Sequence, residues 1–249
     1  MSEMIILGFR KESHQDWDKG LSSVIFTHGC NYRCPACHDK KLVEGSFNQE
    51  ELFKEEEIIK YLARKKDFIN KVVICGGEPI IQHTLPYFIR KLKEKGLAVK
   101  LDTNGSDYIT LGKLKEEGLV DYVAMDVKGP PQIYADIIGR EFIDARDGYE
   151  KAIAVVSQFP DYEFRTTIVP VIRRNEEASF MTPEEIGQTA KLIYDCTGIN
   201  SHKYFLQPFV PRKGELVDSR LESFPQTPKD ILEQGLIEAL KYLPNTKIR

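Results

Sequence analysis

The feature that most constrains this chain is a group of three closely spaced cysteines. Three residues separate Cys30 from Cys34, and two separate Cys34 from Cys37, so one short loop can turn three sulfurs toward a single inorganic centre. Three ligands are an unusual number, because a structural zinc site is closed by four and most iron–sulfur clusters are also held by four cysteines. Three thiolates would hold three irons of a 4Fe–4S cluster and leave the fourth iron open to a small molecule.

Two other interpretations of the motif stay open at the level of the residues. The three cysteines could bind zinc together with His38, which would make the chain a zinc-stabilised binding module without catalysis. Zinc loops usually draw ligands from a second closely spaced pair, and the two other cysteines, Cys75 and Cys196, are isolated. The motif could also be a chance group of core thiols, since small thiols are common in protein interiors.

Length and composition exclude several classes of protein. The chain has 249 residues, of which 41% are hydrophobic and 29% are charged, so it can build a sizeable core and is not expected to be disordered. Chains of this length commonly form one α/β barrel, and we expect one domain over residues 1–249. The net charge of −3 and the lack of a basic patch argue against nucleic acid as a partner.

The apolar segments and the cysteines indicate a compartment. No apolar run is long enough to span a bilayer, and the first residues lack the basic and apolar segments of a signal peptide. Five cysteines, three of them crowded, do not form the pattern of a disulfide framework. We therefore expect a cytoplasmic protein with reduced thiols and no membrane partner. An open iron–sulfur cluster would also make it sensitive to oxygen.

Hydrophobic periodicity predicts strands and helices in alternation. Short apolar runs predict strands at residues 4–10, 21–27, 71–75, 97–101, 120–125, 163–169 and 203–208. Amphipathic segments predict helices at about 49–66, 85–95, 107–117, 148–158, 183–195 and 228–243. Asn48 and Thr182 are the expected caps of the helices that follow them.

This alternation predicts an α/β fold with a parallel sheet. A short N-terminal hairpin over residues 4–27 leads into six strand–helix units that extend to about residue 210, and the helix at 228–243 forms a tail. Six such units predict a partial (β/α)6 barrel rather than the closed eight-stranded form.

Polar and glycine-rich motifs follow the predicted strands, at the edge where parallel barrels place their ligand sites. The loop that contains the three cysteines, residues 30–37, follows the strand at 21–27, and we call it the cysteine loop. The motifs at 76–79, 102–105 and 126–130 follow the next three strands. The sequence therefore predicts that these motifs converge on one mouth of the barrel.

The residue types in these motifs suit a polar ligand. The two glycines of 76–79 let a ligand approach the backbone closely, and Glu78 offers an acceptor for an ammonium group. The oxygens of Asp102, Thr103 and Asn104 suit ribose hydroxyls or a hard cation. An ordinary turn is the alternative at both places.

Three charged residues belong to the next two strands. Asp126 and Lys128 lie two positions apart, so their side chains point to the same side of the strand end, where an ion pair between them is the alternative to ligand binding. Arg165 lies in a strand rich in β-branched residues, and an arginine there needs a partner or a water-filled mouth. We expect Arg165 to meet a carboxylate of a cofactor or a group of the substrate.

The spacing of the three cysteines resembles the radical S-adenosylmethionine (radical SAM) superfamily. There, the amino and carboxylate groups of SAM occupy the open iron. Residues 24–35 further resemble the glycyl-radical activating enzymes, such as the activating proteins of anaerobic ribonucleotide reductase and of pyruvate formate-lyase. The resemblance continues through the motifs at 76–79, 102–105, 126–128 and 165–170, and it spans most of residues 5–210.

The resemblance implies one 4Fe–4S cluster, SAM as cofactor and roles for individual residues. The motif at 76–79 would hold the amino group of SAM, and Lys128 its carboxylate. In the pyruvate formate-lyase type, positions matching Asp102, Thr103 and Asp126 are associated with a monovalent cation. The predicted metal ligands are Cys30, Cys34 and Cys37, and the predicted cofactor-binding residues are Tyr32, Ala36, His38, Gly76, Gly77, Glu78, Pro79, Asp102, Thr103, Asn104, Asp126, Lys128 and Arg165.

Two departures from the superfamily pattern are visible. The segment between Cys37 and Gly76 lacks the cysteine-rich ferredoxin insert of some activating enzymes, so only one cluster is expected. The position before the third cysteine is usually aromatic and lies near the adenine, but here it is Ala36, and Tyr32 is the candidate substitute. The segment 131–147 and the tail after Pro211 match nothing in the resemblance, and partner docking is a candidate role for both.

The implied activity is reductive cleavage of SAM to a 5′-deoxyadenosyl radical, which removes a hydrogen atom from a glycine of a partner. The expected partner is a glycyl-radical enzyme such as anaerobic ribonucleotide reductase, and the expected electron donor is flavodoxin or ferredoxin. An alternative keeps the radical chemistry but changes the substrate to a small molecule, as in the deazaguanine synthases.

Overall fold

The structure of the protein is a computed structural model, which describes residues 3–18, 20–139 and 145–249. The strands are β1 (Ile6–Ser13), β2 (Ser22–Thr27), β3 (Lys71–Gly76), β4 (Ala98–Thr103), β5 (Tyr122–Asp126), β6 (Tyr162–Ile168), β7 (Pro170–Ile172), β8 (Ala178–Phe180), β9 (Tyr204–Pro208) and β10 (Lys247–Ile248). The helices are α1 (Lys40–Glu44), α2 (Glu55–Lys65), α3 (Leu85–Glu94), α4 (Tyr108–Glu116), α5 (Tyr134–Ile138), α6 (Ala145–Val156), α7 (Pro183–Thr197) and α8 (Lys229–Leu240).

The centre of the fold is an eight-stranded sheet in the order β1-β2-β3-β4-β5-β6-β9-β10. The strands from β2 to β6 and then β9 pair in parallel, which confirms the α/β class and the six predicted parallel strands. β1 pairs antiparallel with β2 as the predicted hairpin, and β10 adds a parallel edge. With β1 and β10 at its edges, the sheet of the described residues is open, as in a partial barrel. That residues 1–249 form one domain stays a prediction.

The two faces of the sheet carry different residues, as β4 illustrates. Val99 and Leu101 are fully buried in the hydrophobic core. Lys100 and Asp102 alternate with them and therefore point to the opposite face, into the interior of the barrel. Charged side chains in such a place must be paired, because an isolated charge in a low-dielectric interior is strongly unfavourable.

The helix predicted at 49–66 is the clearest error of the sequence analysis. Only a single 3₁₀ turn, Gln49–Glu51, forms before α2, and the side chain of Asn48 makes no capping bond. Between the two, the chain is extended, and the amide of Phe53 donates to the carbonyl oxygen of Ile6 at 3.0 Å. The backbone there is bonded to the start of β1, so the helix begins later than its amphipathic pattern indicates.

Other differences concern short elements. The helices α1 and α5, the antiparallel pair β7–β8 and the strand β10 were not predicted. Of the segment 131–147, which matched nothing in the resemblance, residues 140–144 lie outside the described residues. The cap of α7 is confirmed, because Thr182 Oγ1 accepts a hydrogen bond from the amide of Glu185 at 3.2 Å. No described helix combines the length and apolar character needed to cross a bilayer.

The backbone segments that follow β2 and β3 pack closely against each other at Gly29 and Gly77. A Cβ atom on Gly77 would lie 2.0 Å from the carbonyl oxygen of Gly29, whereas one on Gly112 in α4 would meet no neighbouring atom within 4 Å. We expect Gly77→Ala to destabilise the fold by about 3 kcal/mol, because backbone atoms must move to admit the methyl group. Gly112→Ala, the control, should be neutral or stabilising by up to about 1 kcal/mol. Urea unfolding of both variants measures this, and equal effects would contradict the packing described.

Candidate cofactor site

The carboxyl ends of the parallel strands surround a cavity of about 240 Å³. Most predicted site residues line it, and Ala36, His38 and Pro79 do not. The lining residues that had been predicted are Cys30, Tyr32, Cys34, Cys37, Gly76, Gly77, Glu78, Asp102, Thr103, Asn104, Asp126, Lys128 and Arg165. The lining residues that had not been predicted are Phe26, Asp39, Val43 and Cys75.

Hydrogen bonds from Arg33 within the loop and from the C-terminal tail hold the carbonyl groups of the cysteine loop. The guanidinium of Arg33 donates to the carbonyl oxygens of Cys30 at 2.5 Å and Tyr32 at 2.8 Å. From the tail, the amide of Val217 donates to the carbonyl of Cys37 at 3.1 Å, and the amide of Asp218 donates to that of Pro35 at 3.0 Å. The tail after residue 211 is therefore part of the support of this loop.

The segment that contains α5 supports the other side of the loop. The amide of Arg33 donates to the carbonyl of Ile138 at 2.9 Å, and the hydroxyl groups of Tyr32 and Tyr134 lie 3.0 Å apart. Gly139 has a φ of +69°, and a Cβ there would lie 2.0 Å from the carbonyl oxygen of Arg33. This contact therefore requires glycine at residue 139.

The sulfur of Cys30 accepts hydrogen bonds from the same loop and from the residue that follows β4. The amide of Tyr32 lies 3.4 Å from Cys30 Sγ. The side-chain amide of Asn104 lies 3.9 Å from the same sulfur and donates to Asn31 Oδ1 at 3.0 Å. Burial raises the pKa of the Cys34 thiol to about 12, and hydrogen bonds of this kind stabilise a thiolate once a positively charged centre is bound.

Glu78 connects the ends of β3 and β4. Its Oε1 accepts hydrogen bonds from the Thr103 hydroxyl at 2.7 Å and from the amide of Ile80 at 3.2 Å, and its Oε2 accepts one from the amide of Asn104 at 2.6 Å. The side chain is buried, and burial raises the pKa of Glu78 to about 7 despite these donors. A ligand ammonium group would therefore share a carboxylate that already holds two strand ends together.

Ion pairs fill the interior of the barrel behind the cavity. Arg165 Nε lies 2.9 Å from Asp126 Oδ1, and Arg165 Nη1 lies 2.9 Å from Asp102 Oδ2. Lys128 Nζ lies 2.9 Å from Asp126 Oδ2, and Lys100 Nζ lies 3.2 Å from Asp102 Oδ1. Burial opposes these charges, but Arg165 and Lys128 outweigh it at Asp126 and lower the pKa of that carboxyl. The ion pair between Asp126 and Lys128, which the sequence analysis gave as the alternative to ligand binding, is therefore present.

Two charged residues of this interior had been missed. Lys100 lies two positions before Asp102 in β4, and Glu163 lies two positions before Arg165 in β6. Glu163 accepts two hydrogen bonds from Arg249, at 2.9 and 2.8 Å. The alternation of side chains along a strand was the signal for both, because residues two apart share a face.

The comparison with known sequences identifies the family. A sequence profile of the radical SAM superfamily matches residues 24–193, which is more than half of the chain. The chain belongs to the radical SAM superfamily.

Relatives of this radical SAM enzyme differ in how much of it they match. A Methanocaldococcus jannaschii protein provisionally assigned as a glycyl-radical enzyme activating enzyme is 31% identical, over 98% of this chain and 95% of its own. The 7-carboxy-7-deazaguanine synthase of Aquifex aeolicus is 32% identical over 46% of this chain and 50% of its own. The resemblance to glycyl-radical activating enzymes is thereby confirmed.

Solved structures confirm the radical SAM fold. Streptococcus suis SuiB bound to S-adenosylmethionine superposes with a TM-score of 0.65 and 13% identity, over 91% of this chain and 49% of SuiB. QueE from Escherichia coli superposes with a TM-score of 0.53 and 14% identity, over 99% of this chain and 93% of its own. This chain therefore spans about half the length of SuiB and nearly all of QueE.

The donor set fits the cluster and cofactor that the radical SAM family implies. Cys30, Cys34 and Cys37 line the cavity together with Cys75 at the end of β3, whereas His38, the fourth ligand of the zinc alternative, does not line it. The His38 ring lies beside that of Phe209, with centroids 5.8 Å apart, and it faces a separate cleft with Gly214 and Glu215. In the described part of the chain, no group of three His, Cys, Asp or Glu side chains is arranged to hold one metal ion.

The burial of Glu78 predicts a dependence of stability on pH. Its folded-state pKa, about 7, lies above the ordinary value of 4.5, so the stability that it contributes is present below 4.5 and is lost as the pH rises through 7. We expect the unfolding free energy of the wild type, minus that of Glu78→Gln, to fall by about 3 kcal/mol between pH 4.5 and pH 8.

Urea unfolding of the two reduced, cluster-free proteins across this pH range measures the difference. Burial lowers the pKa of His38 and of His202 in both proteins, so their opposite effect cancels in the subtraction. A difference that stays constant from pH 4.5 to pH 8 would show that Glu78 titrates normally.

Proposed function

We propose that this radical SAM enzyme installs a glycyl radical on a partner enzyme such as anaerobic ribonucleotide reductase. One observation carries the proposal: the similarity to a glycyl-radical activating enzyme runs over 98% of the chain. That match includes the segment around α5 and the tail, which support the cysteine loop. The matches to the deazaguanine synthase and to a protein of Sulfurisphaera tokodaii provisionally assigned as a GTP 3′,8-cyclase cover about half of it.

The cysteine loop is the proposed holder of the cluster. Cys30, Cys34 and Cys37 would ligate three irons, and the cavity beside them would receive SAM. When bound, the cluster and SAM together supply a radical that can remove a hydrogen atom. The protein contributes ligation, orientation and protection from water, the last through side chains such as Phe26 and Val43 that line the cavity.

The charged residues have proposed roles in orienting SAM. Lys128 lines the cavity with the thiols and pairs with Asp126, so its ammonium group can meet the carboxylate of SAM. The backbone at Gly77 and the carboxylate of Glu78 would meet the amino group. Tyr32 lines the cavity and Ala36 does not, so Tyr32 is the proposed neighbour of the adenine.

The partner would present its glycine on a loop that reaches the cavity mouth, and flavodoxin or ferredoxin would supply the electron. The decisive experiment mixes the anoxically reconstituted enzyme, SAM and a one-electron reductant with the candidate glycyl-radical enzyme. We expect an organic radical in the electron paramagnetic resonance (EPR) spectrum of the partner, and no such radical when its glycine is replaced by alanine.

Two further mixtures complete this experiment. The same mixture with Cys34→Ala in this chain should yield no radical, because one iron loses its ligand. The rival function, action on a small molecule, has the partial match to a deazaguanine synthase in its favour. Cleavage of SAM with turnover of a metabolite, and no radical on any partner enzyme, would replace the first proposal by this one.

Cysteine variants separate the cluster ligands from the other thiols. We expect Cys30→Ala, Cys34→Ala and Cys37→Ala each to lower the iron bound after reconstitution at least about tenfold, because a cubane held by two thiolates is labile. Cys196→Ala, in α7 and outside the cavity, should keep full iron content. Metal analysis and the visible absorbance report this. One equivalent of zinc with no iron in the wild type would refute every radical interpretation.

A further inference from the structure

The family resemblance implies a monovalent cation at Asp102, Thr103 and Asp126, but the side chains do not fit one. The guanidinium of Arg165 already lies between the two carboxylates, at 2.9 Å from each. Of the two remaining carboxylate oxygens, Asp126 Oδ2 pairs with Lys128 at 2.9 Å. Asp102 Oδ1 accepts no hydrogen bond in the described part of the chain, but the ammonium of Lys100 lies 3.2 Å from it, so each oxygen already faces a cationic side chain.

The third expected ligand is also committed elsewhere. The hydroxyl of Thr103 donates to Glu78 Oε1 at 2.7 Å, and its oxygen accepts a hydrogen bond from the amide of Gly105 at 3.1 Å. These bonds use the hydroxyl proton and one of the two lone pairs of its oxygen. Thr103 is also only 4% exposed, so its side chain is held in this orientation.

The balance of charge argues in the same direction. Among the described residues at this place, three carboxylates face four cationic side chains: those of Asp102, Asp126 and Glu163 face those of Lys100, Lys128, Arg165 and Arg249. A bound metal ion would bring a fifth positive charge into a buried site with three negative charges. Like charges at such short range repel strongly where the dielectric is low, which disfavours Na⁺ and K⁺ at this place.

We propose that the guanidinium of Arg165 takes the place of the monovalent cation, so that SAM binding by this enzyme does not depend on Na⁺ or K⁺. The guanidinium lines the cavity and is fixed from behind by Glu163, whose Oε1 lies 3.9 Å from Arg165 Nη1. Arginine suits this role, since its charge is permanent and its planar fork engages two carboxylates at once. The proposal rests on SAM binding and not on which molecule loses the hydrogen atom.

The first test measures SAM affinity of the reconstituted wild-type enzyme from the change that SAM causes in the EPR spectrum of the reduced cluster. Three buffers of equal ionic strength contain Na⁺, K⁺ or tetramethylammonium, which is too large for a site between two carboxylates. We expect dissociation constants that agree within about twofold. An affinity more than about tenfold weaker in tetramethylammonium would overturn the proposal.

The second test asks whether removal of the Arg165 side chain makes SAM binding depend on the cation in the buffer. Arg165→Ala leaves two carboxylates around the space that the guanidinium filled, so we expect weak SAM binding in tetramethylammonium and at least about tenfold recovery in K⁺ or Na⁺. Arg165→Lys keeps a positive charge and should stay independent of the salt. An Arg165→Ala enzyme that responds equally to all three salts would count against the proposal.

A third readout needs neither cluster nor SAM. In the cluster-free protein, K⁺ should raise the unfolding temperature of Arg165→Ala relative to tetramethylammonium and leave the wild type unchanged. Arg173→Ala is the matched control: it removes a partly buried arginine whose partner is Glu185, away from the cavity. If K⁺ stabilises Arg173→Ala or the wild type as much, the effect is not a site at Asp102 and Asp126, and the proposal fails.

These outcomes are separable from those of the proposed function, because no partner enzyme is present in any of the three measurements. The wild-type comparison also decides the question when Arg165→Ala does not fold. A missing glycyl radical would leave the salt dependence unaffected.

Discussion

Arg165 carries the charge on which the interior of this barrel depends. A buried guanidinium and the two carboxylates of Asp102 and Asp126 are stable only together, since removing one partner of a buried pair typically costs about 3–5 kcal/mol. The three residues come from β4, β5 and β6, so the same ion pairs hold three strand ends in register around the cavity. Ion pairs therefore form the base of the candidate cofactor site, while the core on the other face of the sheet is apolar.

The cysteine loop depends on a different kind of contact. It contains no regular secondary structure, and its carbonyl groups are bonded to Arg33, to Val217 and to Asp218. Residues near the end of the chain, Val217 and Asp218, thus support a loop that lies near its beginning. Such support holds the three sulfurs of the loop at one side of the cavity.

The positions of the strand-end motifs could be predicted because they depend on residues that are neighbours in the sequence. Alternating apolar runs and helices imply parallel strands, parallel strands share one carboxyl edge, and the motifs at 76–79, 102–105 and 126–130 all fall at that edge. Lys100 and Glu163 could have been predicted from the same alternation. The support by α5 and the tail could not, because a five-residue helix and an irregular segment leave too little periodicity to read.

By itself, the sequence determined the fold class, the spacing of the cysteine motif and most of the residues that line the cavity. These follow from spacing and periodicity, which are properties of neighbouring residues. Only the tertiary structure decided how those residues pair, above all that Arg165 lies between Asp102 and Asp126, which precede it by 63 and 39 positions. Pairing of this kind depends on strand order and on burial, since a charge removed from water takes whichever partner the sheet places beside it.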